Sequence, residues 1–311
     1  MHNLYTRILG IETDVSRIFI GTCNDMFSNE YSAAIEDLID YALSKGICAI
    51  DTARCYGSSE KNLGEYFSKH NNRSRFVVLS KGGLANDGKL DISLMRSDIK
   101  NSLANLRTDY VDIYLAHRDN KDVSVCEIIE TMNEFIANGY TKAIGVSNWT
   151  YERIAEANEY AYKMSLHPFA ISSPEFSMME QVTDYWGGTV SIGGNKGKEE
   201  RSKYGDDKVT ILAYSPLAHG FISSRNDTIF KMLSRYFIKD EAYKIYGSMS
   251  NVEILLNLKR LARRKKCTIE ELALSYIWDF GENTCAAISM RSHERIDSVL
   301  KSLTMENFVN N

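Results

Sequence analysis

Four side chains suited to proton and hydride chemistry, Asp51, Tyr56, Lys81 and His117, fall at or just beyond the ends of short apolar runs. Asp51 lies at the end of Ile47 to Thr52, with Tyr56 in the loop that follows. Lys81 follows Phe76 to Ser80, and His117 closes Val111 to His117. Hydride addition to a carbonyl leaves negative charge on the oxygen, which calls for a proton donor and an oriented hydrogen bond. A phenol, with a free pKa of about 10, is a poor acid at neutral pH, and a neighbouring ammonium lowers that value by stabilising the phenolate. Lys81 is placed to supply the ammonium, Asp51 to keep it charged, and His117 to position a substrate oxygen. Each residue taken singly has a plainer reading. Asp51 can cap a turn, Tyr56 can be packing, Lys81 can snorkel to solvent, and His117 can be a hydrogen-bonded core imidazole. Their shared placement favours the joint reading.

The elements that must position these residues are legible as an alternation. Eight β-branched runs recur: Arg17 to Gly21, Ile47 to Thr52, Phe76 to Ser80, Val111 to His117, Lys142 to Ser147, Phe169 to Ser172, Val209 to Tyr214 and Cys285 to Ser289. Helical patterns such as Ser32 to Lys45, Ser59 to Lys69, Ile92 to Leu106, Val125 to Asn138 and Tyr151 to Tyr162 lie between them, with apolar residues three and four apart. This alternation predicts βαβ units and a parallel sheet. Continuous apolar runs such as Val77-Val78-Leu79 fit strands covered on both faces. Eight units predict an α/β fold of the closed (β/α)8 TIM barrel type rather than an open doubly wound sheet. In such a barrel the chemistry sits at the C-terminal ends of the strands, where the four residues fall.

Two stretches break the repeat. Met178 to Asp207, after the sixth strand, is rich in Gly and Lys, carries Trp186, and reads as a long loop. Phe221 to Phe280 holds extra helical patterns near the C-terminus, clearest over Asn251 to Arg264 and Ile269 to Phe280. No Pro/Ser-rich linker separates them, so 1–311 reads as a single domain.

Composition narrows the function classes. The 311 residues are 44% hydrophobic and 25% charged, which excludes a disordered or fibrous chain. Lys and Arg number 37 against 41 Asp and Glu, a net charge of -4 that argues against a nucleic-acid partner. Met1 to Gly10 lacks the pattern of a signal peptide, and no apolar stretch reaches the roughly 18 residues of a membrane span, so a cytoplasmic location without membrane partners is expected. The six cysteines form no CxxC pair and read as reduced thiols. With no HxH or HExxH, a metal-dependent hydrolase using Asp51 and His117 is disfavoured and no metal is expected. No GxGxxG follows a strand. The glycines from Gly187 to Gly197 fail the P-loop pattern because Ile192 stands where a glycine is needed, and they read as a mobile loop.

The blocks Asp51-Thr52-Ala53-Arg54-Cys55-Tyr56-Gly57, Ser80-Lys81-Gly82, Tyr114-Leu115-Ala116-His117, Gly145-Val146-Ser147-Asn148-Trp149 and Ala213-Tyr214-Ser215-Pro216-Leu217, in that order, resemble the aldo-keto reductase family. The resemblance implies an NADP(H)-dependent oxidoreductase whose catalytic tetrad falls on Asp51, Tyr56, Lys81 and His117. It implies that Ser147 and Asn148 hold the nicotinamide carboxamide, that Tyr214 stacks on the ring, and that Ser215, Leu217 and Gly220 follow the pyrophosphate. Arg291 and Ser292, with Arg295 as a second candidate, match the segment that holds an adenosine 2'-phosphate, for which arginine's planar fork is suited. Departures from the family pattern are Ser173, where many members carry glutamine, Ser289-Met290 in the lead to the phosphate segment, and Val299 near the adenine.

Cys23, Asn24, Asp25, Met26, Arg54, Trp149 and Trp186 are expected to line the substrate pocket. Their mixed character points to a small-molecule partner that is a polar carbonyl compound, such as a sugar-derived aldehyde or ketone. The alternative is a non-catalytic barrel that binds NADP(H) as a regulatory or scaffold subunit.

Overall fold

The computed structural model describes residues 2–205, 208–223 and 240–305. Two short strands, β1 (Tyr5–Thr6) and β2 (Val15–Ser16), pair antiparallel. Eight parallel strands then close into a barrel: β3 (Ile18–Gly21), β4 (Ala49–Asp51), β5 (Val77–Gly82), β6 (Val111–Ala116), β7 (Thr141–Ser147), β8 (Ile171–Ser173), β9 (Thr210–Ala213) and β10 (Thr284–Ile288). Closure is made by β10 pairing back on β3, with Ala286 opposite Ile18. The predicted (β/α)8 TIM barrel is the observed architecture.

Strand periodicity sorts the core into two layers. Phe19, Ala49, Leu79, Ile113, Leu115, Ile171, Leu212 and Cys285 point inward and pack with Ile8 and Ile11 from the β1–β2 turn. The alternate residues, among them Ile18, Ile20, Ile50, Val78 and Ile144, face outward into a larger cluster shared with the helices. Burying one such Ile or Leu contributes about 1.5–3 kcal/mol, so the filled interior is a packed core rather than a channel.

The helices are α1 (Asp25–Ser28), α2 (Ala33–Ser44), α3 (Ser59–His70), α4 (Ile92–Leu106), α5 (Val125–Ala137), α6 (Tyr151–Lys163), α7 (Lys198–Ser202), α8 (Asp240–Tyr246), α9 (Met249–Lys265), α10 (Ile269–Trp278) and α11 (His293–Ser302). Several of their starts are capped by a side chain. Asp91 accepts from Leu94 N at 2.9 Å, and Thr268 with Glu271 forms a reciprocal capping box. No helix among the described residues is long and apolar enough to cross a membrane.

Two strands, β4 and β8, start two residues later than their β-branched runs suggest, because local bonds occupy the leading residues. Ile47 N donates to Ala42 O at the end of α2. Phe169 is gripped by the Asn158 side chain of α6, which accepts from its N–H at 2.7 Å and donates to its carbonyl at 3.2 Å. The 178–205 stretch holds α7 and buries Met179, Ile192 and Tyr204. Of its glycine run, expected as a mobile loop, the Gly193 to Gly197 part is a packed turn, where a Cβ at Gly197 would overlap the Ile192 backbone, whereas Gly187 and Gly188 are exposed. The extra C-terminal helices appear as α8, α9 and α10. The parts of both predicted stretches that fall on 206–207 and 224–239 lie outside the described residues.

Candidate active site

Asp51 ends β4, Lys81 lies near the end of β5, and His117 follows β6, so parallel pairing carries all three to the same end of the barrel. Tyr56 joins them from the loop after β4. That loop is drawn across the end of β5 by backbone bonds from Thr52 N to Leu79 O and from Arg54 N to Lys81 O, each 2.9 Å. Tyr56 N then turns back to Ala53 O, and Gly57, at φ 59°, takes the left-handed conformation that ends the turn.

The result is a compact cluster. Lys81 Nζ donates to Asp51 Oδ1 at 2.5 Å, to the Thr52 carbonyl at 3.0 Å and to the Tyr56 hydroxyl at 3.3 Å. The His117 ring meets the Tyr56 ring edge-on, with centroids 5.9 Å apart, and its Nδ1 is 3.6 Å from Cys55 Sγ. Asp51, Lys81 and His117 are buried, and Tyr56 is partly covered.

Electrostatics differ from the expectation in one respect. Burial first, then the Asp51 carboxylate, pushes the Tyr56 phenol well above its ordinary value, whereas the neighbouring ammonium was expected to lower it. The main cause is loss of water around the hydroxyl, which disfavours the phenolate, and the nearby Asp51 carboxylate, to which Lys81 is bound at 2.5 Å, adds to it. Tyr56 therefore holds its proton. Burial, with the Lys81 and Arg118 cations, drives His117 well below the usual imidazole range, so it is a neutral hydrogen-bonding group.

These side chains open on a cavity of about 970 Å³. Ser147, Asn148, Ser173 and Tyr214 line it as one hydrogen-bonded chain. The Tyr214 hydroxyl donates to Asn148 Oδ1 at 2.7 Å, Asn148 Nδ2 donates to Ser147 Oγ at 2.9 Å, and Ser147 Oγ donates to the Ser173 carbonyl at 3.0 Å. Ser215, Leu217 and Gly220 continue the wall. Within that turn Ser215, Ala218 and His219 adopt positive φ without being glycine, a conformation that costs about 1–3 kcal/mol each and gathers at ligand sites. Arg291 and Arg295 line the cavity after β10, whereas Ser292 does not line it and instead caps α11, accepting from Arg295 N at 3.3 Å. A hydrogen-bonding amide subsite, a strained turn and two arginines in one groove fit an extended nicotinamide dinucleotide.

Of the residues expected at the substrate pocket, Cys23, Asn24 and Trp186 line the cavity. The polar atoms of Asn24 are engaged in the turn, its Oδ1 accepting from Met26 N and its Nδ2 donating to Gly21 O. Arg54 and Trp149 do not line the cavity. Arg54 turns toward Asp98, 3.9 Å away, and Trp149 is fully buried against Phe169 and Arg153, with its indole N–H on the Arg118 carbonyl. A residue just past a strand can face the helix layer as readily as the mouth, and spacing alone does not separate the two. Arg118, Leu84, His219 and Glu270 also line the cavity and were not singled out from sequence. Arg118 had a usable signal, since it directly follows His117 at a strand end.

Comparisons with known proteins bear on the family and the fold. The chain is similar to aldo-keto reductase YhdN of Bacillus subtilis (strain 168), 28% identical over 232 residues that cover 71% of this chain and 64% of that protein. It is similar to aryl-alcohol dehydrogenase GME11368 of Pestalotiopsis microspora, at 25% over 87% of this chain and 68% of that one. It is also similar to probable aldo-keto reductase 1 of Glycine max, at 23% over 92% and 78%. The crystal structure of the thermostable aldo-keto reductase Tm1743 in complex with epalrestat shares the fold, with a TM-score of 0.71, 21% identity and coverage of 99% of this chain and 97% of that one. The family model described as Aldo/keto reductase family matches residues 17–310, and the chain belongs to that family.

Proposed function

We propose that this protein reduces an aldehyde or ketone to an alcohol with NADPH, and that Tyr56 donates the proton. The observation that carries the reading is the Tyr56 hydroxyl 3.3 Å from Lys81 Nζ, with Lys81 itself anchored on Asp51 at 2.5 Å. The dihydronicotinamide, when bound, supplies the hydride. Every other step belongs to the chain. Neutral His117 offers an imidazole N–H to the carbonyl oxygen, and Tyr56, kept protonated by burial, hands its proton to that oxygen as charge develops. Lys81 stabilises the phenolate left behind, and Asp51 keeps Lys81 in place.

Ser147, Asn148 and Ser173 would orient the carboxamide, and the ring of Tyr214 would stack on one face of the nicotinamide. Arg291 and Arg295 support NADPH over NADH through a 2'-phosphate. The polar groups at the mouth support a polar carbonyl substrate, a small molecule. A screen of aldehydes and ketones with NADPH and NADH in parallel, repeated on Tyr56→Phe, tests the reading. Reduction by the wild type should fall about 10²- to 10⁴-fold in the variant, with cofactor binding by fluorescence unchanged within about twofold. Equal loss of binding and turnover would remove Tyr56 from the proton-donor role.

A further inference from the structure

The cavity holds a cation whose hydrogen-bond donors the chemistry above does not use. Arg118 directly follows His117, and the segment it begins is held at several points. Trp149 Nε1 donates to the Arg118 carbonyl at 3.1 Å. The adjoining Asp119 is taken by Arg153 Nε at 2.8 Å, and Arg153 also donates to Asn120 O at 3.0 Å and Val123 O at 2.7 Å. The same guanidinium lies 4.9 Å from the Trp149 ring centroid, which closes the clamp.

The side chain carried by this rigid segment is under-used. One Arg118 donor, Nη1, reaches the His117 carbonyl at 3.0 Å, and Nε is buried without a hydrogen-bond partner among the described residues. The nearest acid in sequence, Asp119, is already paired with Arg153, and Asp184 on the overlying loop is bound to Thr189. A guanidinium carries five N–H donors in a planar fork that matches an anionic oxygen pair, and leaving them unmatched in a partly dry site is costly. The Arg118 charge is felt by Tyr56, His117, Cys55 and Tyr214, which places it among the groups that ring the reacting position.

Topology separates this cation from the cofactor's phosphates. Around the ring β10-β3-β4-β5-β6-β7-β8-β9, β6 is the fourth neighbour of β10 in either direction. Arg118, after β6, therefore stands across the mouth from Arg291 and Arg295, which follow β10. The loop tip that carries Trp186 passes over it, and a Cβ at Gly188 would lie 3.9 Å from Arg118 Cδ.

We infer that Arg118 selects carbonyl substrates bearing a carboxylate, which it holds by a charge-assisted, two-pronged hydrogen bond while the carbonyl faces Tyr56 and His117. This rests on the carbonyl-reductase reading above. The test compares kcat/KM for 4-carboxybenzaldehyde and its methyl ester with NADPH, in the wild type, Arg118→Gln and Arg118→Lys. The wild type should favour the acid by about tenfold or more, mostly through KM, as expected for one charge-assisted pair. Arg118→Gln should bring the acid-to-ester ratio to within about threefold of unity, and Arg118→Lys should restore part of it. A wild-type preference for the ester, or a ratio left unchanged by Arg118→Gln, overturns the assignment. Glyceraldehyde 3-phosphate against glyceraldehyde separates the anion classes: an Arg118-dependent preference for the phosphate alone overturns the carboxylate. Turnover of neither benzaldehyde by the wild type, with NADPH bound, would instead strike the carbonyl-reductase reading and the selectivity with it.

Discussion

Lys81 Nζ sits 0.8 Å closer to Asp51 Oδ1 than to the Tyr56 hydroxyl, at 2.5 against 3.3 Å, so the ammonium is anchored on the carboxylate while still within reach of the phenol. A cation shared equally would acidify the phenol. In this buried setting, with the Asp51 carboxylate beside it, the phenol stays protonated.

The same pair is a folding element. Both partners are buried, so Lys81→Met leaves the Asp51 carboxyl without its cation and should cost about 3 kcal/mol in urea unfolding. The double variant Asp51→Asn with Lys81→Met should recover most of that stability while carbonyl reduction stays lost. Equal stability of single and double variants would show that the pair is not coupled.

The pH profile follows from the two directions at Tyr56 and His117. His117 is depressed below the imidazole value of about 6.5, so it stays neutral at and above that pH. Tyr56 is raised above the phenol value of about 10, so it keeps its proton below it. The kcat/KM for reduction, which reports the free enzyme, should be flat from about pH 6.5 to about pH 9. A basic limb near pH 7 or 8 would mean that Lys81 acidifies the phenol after all.

Glu175 supplies a stability signature. It is fully buried, accepts hydrogen bonds from Ser191 and from the Tyr246 hydroxyl at 3.0 Å, and burial pushes its carboxyl up to about 7. A raised carboxyl binds more protons folded than unfolded between the two pKa values. Its favourable contribution is complete below the unfolded value of about 4.5 and lost as pH rises through about 7. Glu175→Gln should therefore gain stability over the wild type as pH rises from 5 to 8, by about 3 kcal/mol at most. Thermal unfolding across that range checks it, and a gain that does not grow with pH would contradict it.

Cofactor choice should reside in the arginines after β10. Arg291 is half exposed, and its Nη2 stands 3.8 Å from Asp25 Oδ2, a loose pairing that a phosphate can displace. Arg291→Ala is expected to weaken NADPH binding about tenfold while NADH binding changes by less than about twofold, as read by fluorescence titration. Equal weakening of both would place Arg291 away from the 2'-phosphate.

Much of the architecture was legible in the order of residues, for a local reason. Apolar runs such as Val77-Val78-Leu79 and the spacing within Ile92–Leu106 encode strand and helix through periods that do not depend on distant contacts. Alternation of the two, repeated eight times, leaves few closed topologies, and parallel pairing then brings Asp51, Lys81 and His117 to one rim. What the chain order did not contain was direction at the rim. Trp149 and Arg118 both follow strands, yet Trp149 packs into the helix layer and Arg118 reaches the mouth. The protonation of Tyr56 was equally out of reach, because it depends on how deeply the folded barrel buries the hydroxyl beside Asp51. Such differences of an ångström arise only when loops, helices and strands compete for the same space, and the folded barrel alone resolves that competition.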